Sequence, residues 1–311
     1  MLPPPLISVI MCTYNGAPFL NEQIQSILNQ DYKHIELIIV DDASTDNTWA
    51  LLLAWQAKSR VIKIERNAAN VGYNKNFAYA LTLATGNFIA FADQDDIWMP
   101  QKLSKTLGAF TNDQVMLAHC KSVRLQEGIL KYNLAALHHH FSGSDTRRLF
   151  FFNQVTGHDA MIKKELVPYI LPIPPGMMYD WWTAVVATCY GTIASIDEIL
   201  AHHRIHTNNS FFTSKTNSKP KQLDIEDSCR LFLTIPALHD DNRQYLLRFL
   251  DKLSTHNKRK KAGFDFAFFT FLYANRKIIF GHKKRLLPEL NYFKNSLKYA
   301  GKVYKGKGLS V

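Results

Sequence analysis

Within the first hundred residues, an apolar run ends in a polar loop and hands over to a helical stretch, and this happens three times before a fourth run ends in acids. Residues 6–11 (LISVIM) form the first run, stopped by Cys12-Thr13-Tyr14-Asn15-Gly16, and residues 17–29 then place Phe19, Leu20, Ile24, Ile27 and Leu28 at helical spacing. Residues 35–40 (IELIIV) end at Asp41-Asp42-Ala43-Ser44-Thr45-Asp46, where Thr45 or Asp46 is expected to cap a helix over 48–57. A third strand is expected at 61–65, a loop at 67–72, a helix at 73–84, and a fourth strand at 87–92 that stops at Asp93-Gln94-Asp95-Asp96. Strands alternating with helices in this way fold as a parallel, doubly wound sheet. Ligands in such sheets bind beyond the C-terminal ends of the strands, and the polar clusters after strands one, two and four fall there.

Each cluster suggests a chemistry. Three carboxylates within four residues at 93–96 repel one another unless a cation lies among them, and hard oxygen donors suit Mg²⁺ or Mn²⁺, which take phosphate oxygens as further ligands. A solvated acidic turn is the plain alternative. Asp42, at the end of the second strand, can accept hydrogen bonds from a ribose or a base N–H, while Asp46 caps the next helix. The first loop has no GxGxxG, which weakens a dinucleotide reading, and the chain has no GxxxxGK[ST], which excludes a P-loop.

Beyond residue 107 the pattern loosens. Strands are expected at 116–123, 154–162 and 192–196, with a helix at 180–190. Residues 213–221 are polar and linker-like, and the remainder of the chain is helical and basic. The four cysteines (Cys12, Cys120, Cys189 and Cys229) match no zinc spacing and read as free thiols. The opening MLPPP has neither a basic start nor a long apolar stretch, so no leader peptide is expected.

Four blocks of the first half carry a resemblance. SVIMCTYNG, IELIIVDDASTDNT, RNAANVGYNKNFAYAL and GNFIAFADQDDIWMPQKL, in that order over residues 6–107, resemble the nucleotide-sugar domain of family 2 glycosyltransferases, and DQDDIW is similar to bacterial rhamnosyltransferase-like members. The resemblance implies an α/β fold of the GT-A type: a Rossmann-like nucleotide-sugar domain with a mixed central sheet over 1–212, divided into a nucleotide-binding half (6–107) and an acceptor-binding half (108–212). A mainly helical basic region, 213–311, completes the chain. It implies an inverting transferase that moves rhamnose or a hexose from a nucleoside-diphosphate sugar (dTDP-rhamnose or a UDP-sugar) to a glycan or lipid-linked acceptor in bacterial surface polysaccharide synthesis.

The resemblance also implies site residues. Asp42 meets the nucleobase, with Cys12, Thr13 and Tyr14 as the other wall. Asn70, Gly72 and Asn76 shape the adjoining loop. Asp93 and Asp95 form the DxD pair of the Mg²⁺ or Mn²⁺ site, supported by Asp96. The segment NQVTGHD is similar to the stretch against the donor sugar, with Gly157 and His158 as its contacts. In Met178-Tyr179-Asp180-Trp181-Trp182, Asp180 matches the catalytic base, although Tyr179 stands where His is usual. Arg204, His206, Asn208 and Asn209 match the polar positions of a diphosphate block from which Ile205 and Thr207 depart. An acid beside two Trp residues is partly desolvated, which raises its pKa. The Trp pair suits sugar stacking and core packing equally. His138-His139-His140 and His202-His203 read as ordinary loop residues.

The formal net charge is +11, which calls for an anionic partner. Nucleic acid is one such partner, but no recognisable nucleic-acid module is present. Residues 262–281 are rich in Phe, fall short of a membrane span and lie between KRKK and HKKR, which reads as an interfacial helix on anionic lipid or as a core helix with basic ends. A cytoplasmic location, with peripheral contact at the cytoplasmic face of the inner membrane, is the matching expectation. The alternatives are a catalytically inactive nucleotide-sugar-binding relative and a nucleotidyltransferase that shares the metal site.

Overall fold

The computed structural model describes residues 3–131, 140–206, 223–258, 264–281 and 287–301. The expected alternation is present: β1 (Ile7–Thr13), α1 (Ala17–Leu28), β2 (Ile35–Asp41), α2 (Thr48–Lys58), β3 (Ile62–Arg66), α3 (Tyr73–Leu83) and β4 (Phe88–Asp93). There follow β5 (Ile97–Trp98), α4 (Lys102–Gly108), β6 (Val115–Gln126), β7 (Ile129–Lys131), β8 (Ala160–Lys163), α5 (Val167–Ile170), α6 (Tyr179–Tyr190) and β9 (Thr192–Ile205).

The sheet runs β3-β2-β1-β4-β8-β6-β9-β5, with β7 added to β6. Strands β1 to β4 are parallel, whereas β8 is antiparallel to both β4 and β6 and β5 is antiparallel to β9. The sheet is therefore mixed, not wholly parallel as the alternation alone suggests. The second half returns without a helix between every pair of strands, so antiparallel pairing is open to it. The parallel register sets Thr13 beside Asp41 and Cys12 beside Asp93, so three strands end at one level.

Four local expectations change. The α2 N-cap is Asn47, while Asp46 accepts from Thr48 N at 3.0 Å and so serves the same first turn. The strand expected at 154–162 is a short 3-10 turn, Gly157–Asp159, followed by β8, because His158 and Asp159 turn inward to buried partners. The strand expected at 192–196 extends to Ile205; its polar outer half, with His202, His203 and Arg204, conceals the strand in the sequence. The helix expected over 262–281 is two helices, α9 (Phe266–Ala274) and α10 (Arg276–Phe280), divided at Asn275.

The C-terminal elements α7 (Ile225–Phe232), α8 (Asp240–Asn257), α9, α10 and α11 (Pro288–Ala300) pack on the half that carries the sheet. Their Phe232, Phe249, Phe268 and Phe280 share one apolar core with Phe91, Phe150 and Trp181. The polar stretch 213–221 lies outside the described residues.

Candidate active site

The three strand ends are joined by side chains from their loops. Gln94 clamps the β1 loop, its Oε1 accepting from Tyr14 N at 2.9 Å and its Nε2 donating to Tyr14 O at 3.1 Å. The clamp needs Gly16, because a Cβ there would lie 2.1 Å from Gln94 Oε1. Asn15 Oδ1 accepts from Thr45 N at 2.8 Å and ties the β1 loop to the β2 loop. Thr13 is buried and donates to Asp41, while Tyr14 stands 45% exposed over the strand ends.

Asp42 is buried and works inside the protein. Its Oδ1 accepts from Asn67 Nδ2 (2.8 Å) and Val71 N (2.9 Å), and its Oδ2 accepts from Gly72 N (2.9 Å). Gly72 has φ +85°, a conformation that favours glycine, and it opens α3. Asn76 is also buried: its amide donates to Val40 O at 2.9 Å and its Oδ1 accepts from Asn67 at 3.0 Å. Asp42 and Asn76 thus hold the 67–72 loop, leaving Asn70, Val71 and Tyr73 exposed at its edge. Cys12 lies partly buried beside Asp93, and burial raises its thiol well above the ordinary value.

The acidic cluster is assembled from distant segments. Pairing of β5 with β9 sets Ile97 against His202 and Trp98 against Ala201. That register carries His203, Arg204 and His206 onto Asp95 and Asp96. His203 Nδ1 is 3.1 Å from Asp96 Oδ1, which also accepts from Arg204 N at 3.1 Å. His206 Nε2 is 2.8 Å from Asp95 Oδ2, and its ring stacks on Phe19 at 4.4 Å. Arg204 donates to Asp95 O at 2.9 Å, pairs with Glu22 and lies over the Phe19 ring.

His158 sits among three carboxylates. Its Nδ1 is 3.4 Å from Asp93 and 3.9 Å from Asp96, and its Nε2 is 3.4 Å from Asp159. Burial opposes its charge, but Asp159, Asp96 and Asp93 outweigh it and push the imidazole up to about 10. Its ring lies flat on His203, 4.6 Å away and tilted by 3°. Buried Lys102 donates to His158 O and stands over Trp98, adding a second fixed cation. Burial, then Asp96 and Asp93, raise the Asp95 carboxyl against the pull of His206. Burial would raise Asp96 as well, but His158, His203 and Lys102 hold it low.

A divalent cation fits this donor set. Ligand atoms of Asp93, Asp96, His158 and His203 all lie within 4.8 Å of one another, and buried Asp96 Oδ2 has no hydrogen-bond partner. Asp95 and His206 offer a second oxygen and nitrogen pair beside them.

Asp180 lies at the first turn of α6, partly buried, with Met178 rather than itself as N-cap. Its Oδ1 accepts from Trp181 N at 2.7 Å and its Oδ2 from Gly157 N at 3.3 Å. Burial pushes the carboxyl up to about 6 against those hydrogen bonds, with Asp93 adding to the rise. Tyr179 stacks on Phe77 at 4.2 Å, and a Cβ on Gly157 would lie 1.9 Å from its hydroxyl. Both Trp residues belong to the core, not to a sugar platform: they are at most 8% exposed, and their indole N–H groups donate to Leu149 O (2.5 Å) and Ile170 O (2.9 Å).

The strand ends therefore gather Tyr14, Asp93, Asp95, Asp96, Gly157, His158, Asp180, Arg204 and His206. Asn208 and Asn209, also expected here, lie outside the described residues, as do His138 and His139. Sequence reasoning missed Gln94, Lys102, Asp159 and His203. The one available signal was the His202-His203 pair, whose odd member points toward the acids.

Residues 8–167 match the family model described as Glycosyl transferase family 2. An uncharacterized glycosyltransferase of Nostoc sp. is 30% identical over 233 residues, 70% of each chain. An Escherichia coli protein named UDP-Glc:alpha-D-GlcNAc-diphosphoundecaprenol beta-1,3-glucosyltransferase is 36% identical over 118 residues, 37% of this chain and 45% of that one. The crystal structure of S. aureus TarS 1-349 in complex with UDP-GlcNAc superposes with a TM-score of 0.62 at 16% identity, covering 94% of this chain and 90% of that one, a likeness of fold.

Proposed function

Because this chain belongs to glycosyl transferase family 2, we propose that it transfers a sugar from a nucleoside diphosphate to a glycan or lipid-linked acceptor by a single inverting displacement, using Asp180 as base and a divalent cation held at 93–96. The observation that carries this reading is the placement of Asp180 beside the acidic cluster, with the Gly157 N–H bridging its carboxylate to the turn that carries His158.

Each role follows from the geometry. An inverting transfer needs a group to accept the acceptor hydroxyl proton and a means of steadying the departing diphosphate. Asp180, with its carboxyl raised to about 6, is a stronger base than an ordinary carboxylate yet remains mostly ionised at pH 7. Asp93 and Asp95 offer the carboxylates nearest the site mouth, and His206 adds a nitrogen; Asp96, wholly buried, orients them through His203 and Arg204. Mg²⁺ or Mn²⁺ bound there would supply charge neutralisation of the leaving diphosphate. Arg204 adds fixed positive charge on that side, and His158 lies among the same carboxylates. Tyr14, Asn70 and Val71 line the base pocket, held in place by Gln94 and Asp42.

The donor is a pyrimidine nucleotide sugar, a UDP-hexose or dTDP-rhamnose. The E. coli relative's named substrates favour the former and an acceptor on a lipid diphosphate, a reaction that would run at a membrane surface. The test is donor hydrolysis: purified protein, a panel of UDP-, dTDP- and GDP-sugars, and Mn²⁺ or Mg²⁺. Release of nucleoside diphosphate from one donor, abolished by EDTA and by Asp95→Ala, is expected. Silence across the panel together with absence of metal-dependent nucleotide binding would overturn the reading in favour of an inactive relative.

A further inference from the structure

The exposed apolar surface of the C-terminal helices is concentrated on one side. In α11, Tyr292, Ser296, Tyr299 and Ala300 face the core, at the spacing of one helical stripe. A second apolar stripe, Leu290, Phe293 and Leu297, repeats at helical spacing but stands 64%, 44% and 39% exposed. Phe293 meets Phe269 and Tyr273 of α9 edge-on, at 5.7 and 5.8 Å, so the outer faces of the two helices form one surface. Phe266, 67% exposed, and Leu287, 57% exposed, extend it. Core packing leaves much of this outer stripe uncovered, and a contiguous exposed apolar face on a water-facing protein marks a contact.

The chain's charge identifies the occupant. Residues 258–311 hold 14 Lys and Arg against 2 Asp and Glu, so they outweigh the chain's whole net charge of +11, and the remainder is close to neutral. In sequence, basic clusters adjoin the helices at 258–261, 283–285 and 302–307. A second copy of this chain would bring like charge against like charge, whereas an anionic bilayer suits both an exposed apolar stripe and a region of this net charge. Among the described residues no helix is long and apolar enough to cross a membrane, so contact would be in the plane of the surface. The α9 end is fixed for this: Asp265 accepts from Phe268 N at 3.0 Å and pairs with buried His256 of α8 at 3.1 Å.

We infer that the α9–α11 face, through Phe266, Leu287, Leu290, Phe293 and Leu297, docks the enzyme on an anionic phospholipid surface. The inference rests on the proposed lipid-borne acceptor for its purpose, though not for its observations. The experiment is flotation of the full chain with phosphatidylcholine vesicles, with or without about one third phosphatidylglycerol, alongside size-exclusion chromatography. Phe266→Glu/Leu290→Glu/Phe293→Glu is compared with the parent at low and high salt, with thermal melting and donor hydrolysis as fold controls. All three positions are exposed, and the single substitution Leu290→Glu serves if the triple variant melts early.

Expected is flotation with anionic vesicles alone, weakened by salt and reduced on the order of tenfold or more in the triple variant, with melting and hydrolysis unchanged. Three results would overturn it: flotation unaffected by the substitutions, equal binding to neutral vesicles, or no flotation, with or without an oligomer that the substitutions dissociate. Flotation with neither donor hydrolysis nor metal-dependent nucleotide binding would leave this inference standing and defeat the transferase reading instead. Hydrolysis without flotation would do the reverse.

Discussion

Asp180, the proposed base, is where a single residue would set the chemistry. Its raised carboxyl predicts a pH profile: the ionised form is the base, so kcat should fall as pH drops through about 6 and level off above it. A profile flat from pH 5 to 8 would exclude the assignment. Asp180→Asn should lower kcat by roughly 10²–10⁴-fold while nucleotide affinity, measured by calorimetry, stays within a few-fold. Gly157 makes the complementary steric case. Gly157→Ala would set a methyl against the Tyr179 hydroxyl, at a cost of about 1–3 kcal/mol in denaturant melts. Tyr179→Phe in the same chain removes the nearest atom but leaves Cζ at 2.5 Å and Cε2 at 2.9 Å, so it should recover only part of that loss. A Gly157→Ala variant as stable as the parent would show that the Tyr179 ring moves aside freely.

At the scale of elements, the site is a product of strand pairing. Strands β1, β2 and β4 end level because they are parallel and in register, which brings three loops together. Gln94 then converts adjacency into order by bonding both ways to Tyr14. Gln94→Ala should weaken donor binding about tenfold, read as a rise in KM with kcat nearly held, since the clamp shapes the base pocket and does not touch the reacting bond. The pairing of β5 with β9 delivers His203, Arg204 and His206 across a sequence gap of more than a hundred residues. Metal titration separates the two nitrogen donors: His206→Ala should weaken Mn²⁺ affinity by tenfold or more, whereas His203→Gln, which retains a donor toward Asp96, should have a smaller effect. Equal losses would assign the cation to the buried set of Asp96, His158 and His203.

For the whole molecule, the catalytic half and the C-terminal helices share one core. Trp181 and Trp182, next to the base, meet Phe232 of α7 at ring distances of 5.5 and 6.3 Å, and Phe151 meets Phe249 of α8. Trp181→Ala should therefore cost about 3–5 kcal/mol and lower the melting point of the entire chain in a single transition. Two separate transitions in calorimetry would show that the helices fold apart from the sheet. The shared core also gives the C-terminal helices a fixed orientation relative to the site, which membrane docking through their outer face would use.

The sequence by itself determined the first half of the sheet and the level at which its polar loops gather. A buried strand ending in an acidic or polar loop is a local pattern, readable over ten residues, as at Asp41-Asp42 and Asp93-Gln94-Asp95-Asp96. Asp180 as base is a proposal that rests on the resemblance of the block around it. Tertiary structure alone decided which polar residues face one another. That Asp42 and Asn76 serve the loop, that Asp159 and Lys102 flank His158, and that His203 meets Asp96 all follow from side-chain meetings that local sequence does not encode, most of them between segments far apart in the chain. It likewise decided that Trp181 and Trp182 are core and that α11 carries an apolar stripe beyond what the core requires. Periodicity marks an apolar face but not what covers it, because the covering surface belongs to other segments of the chain.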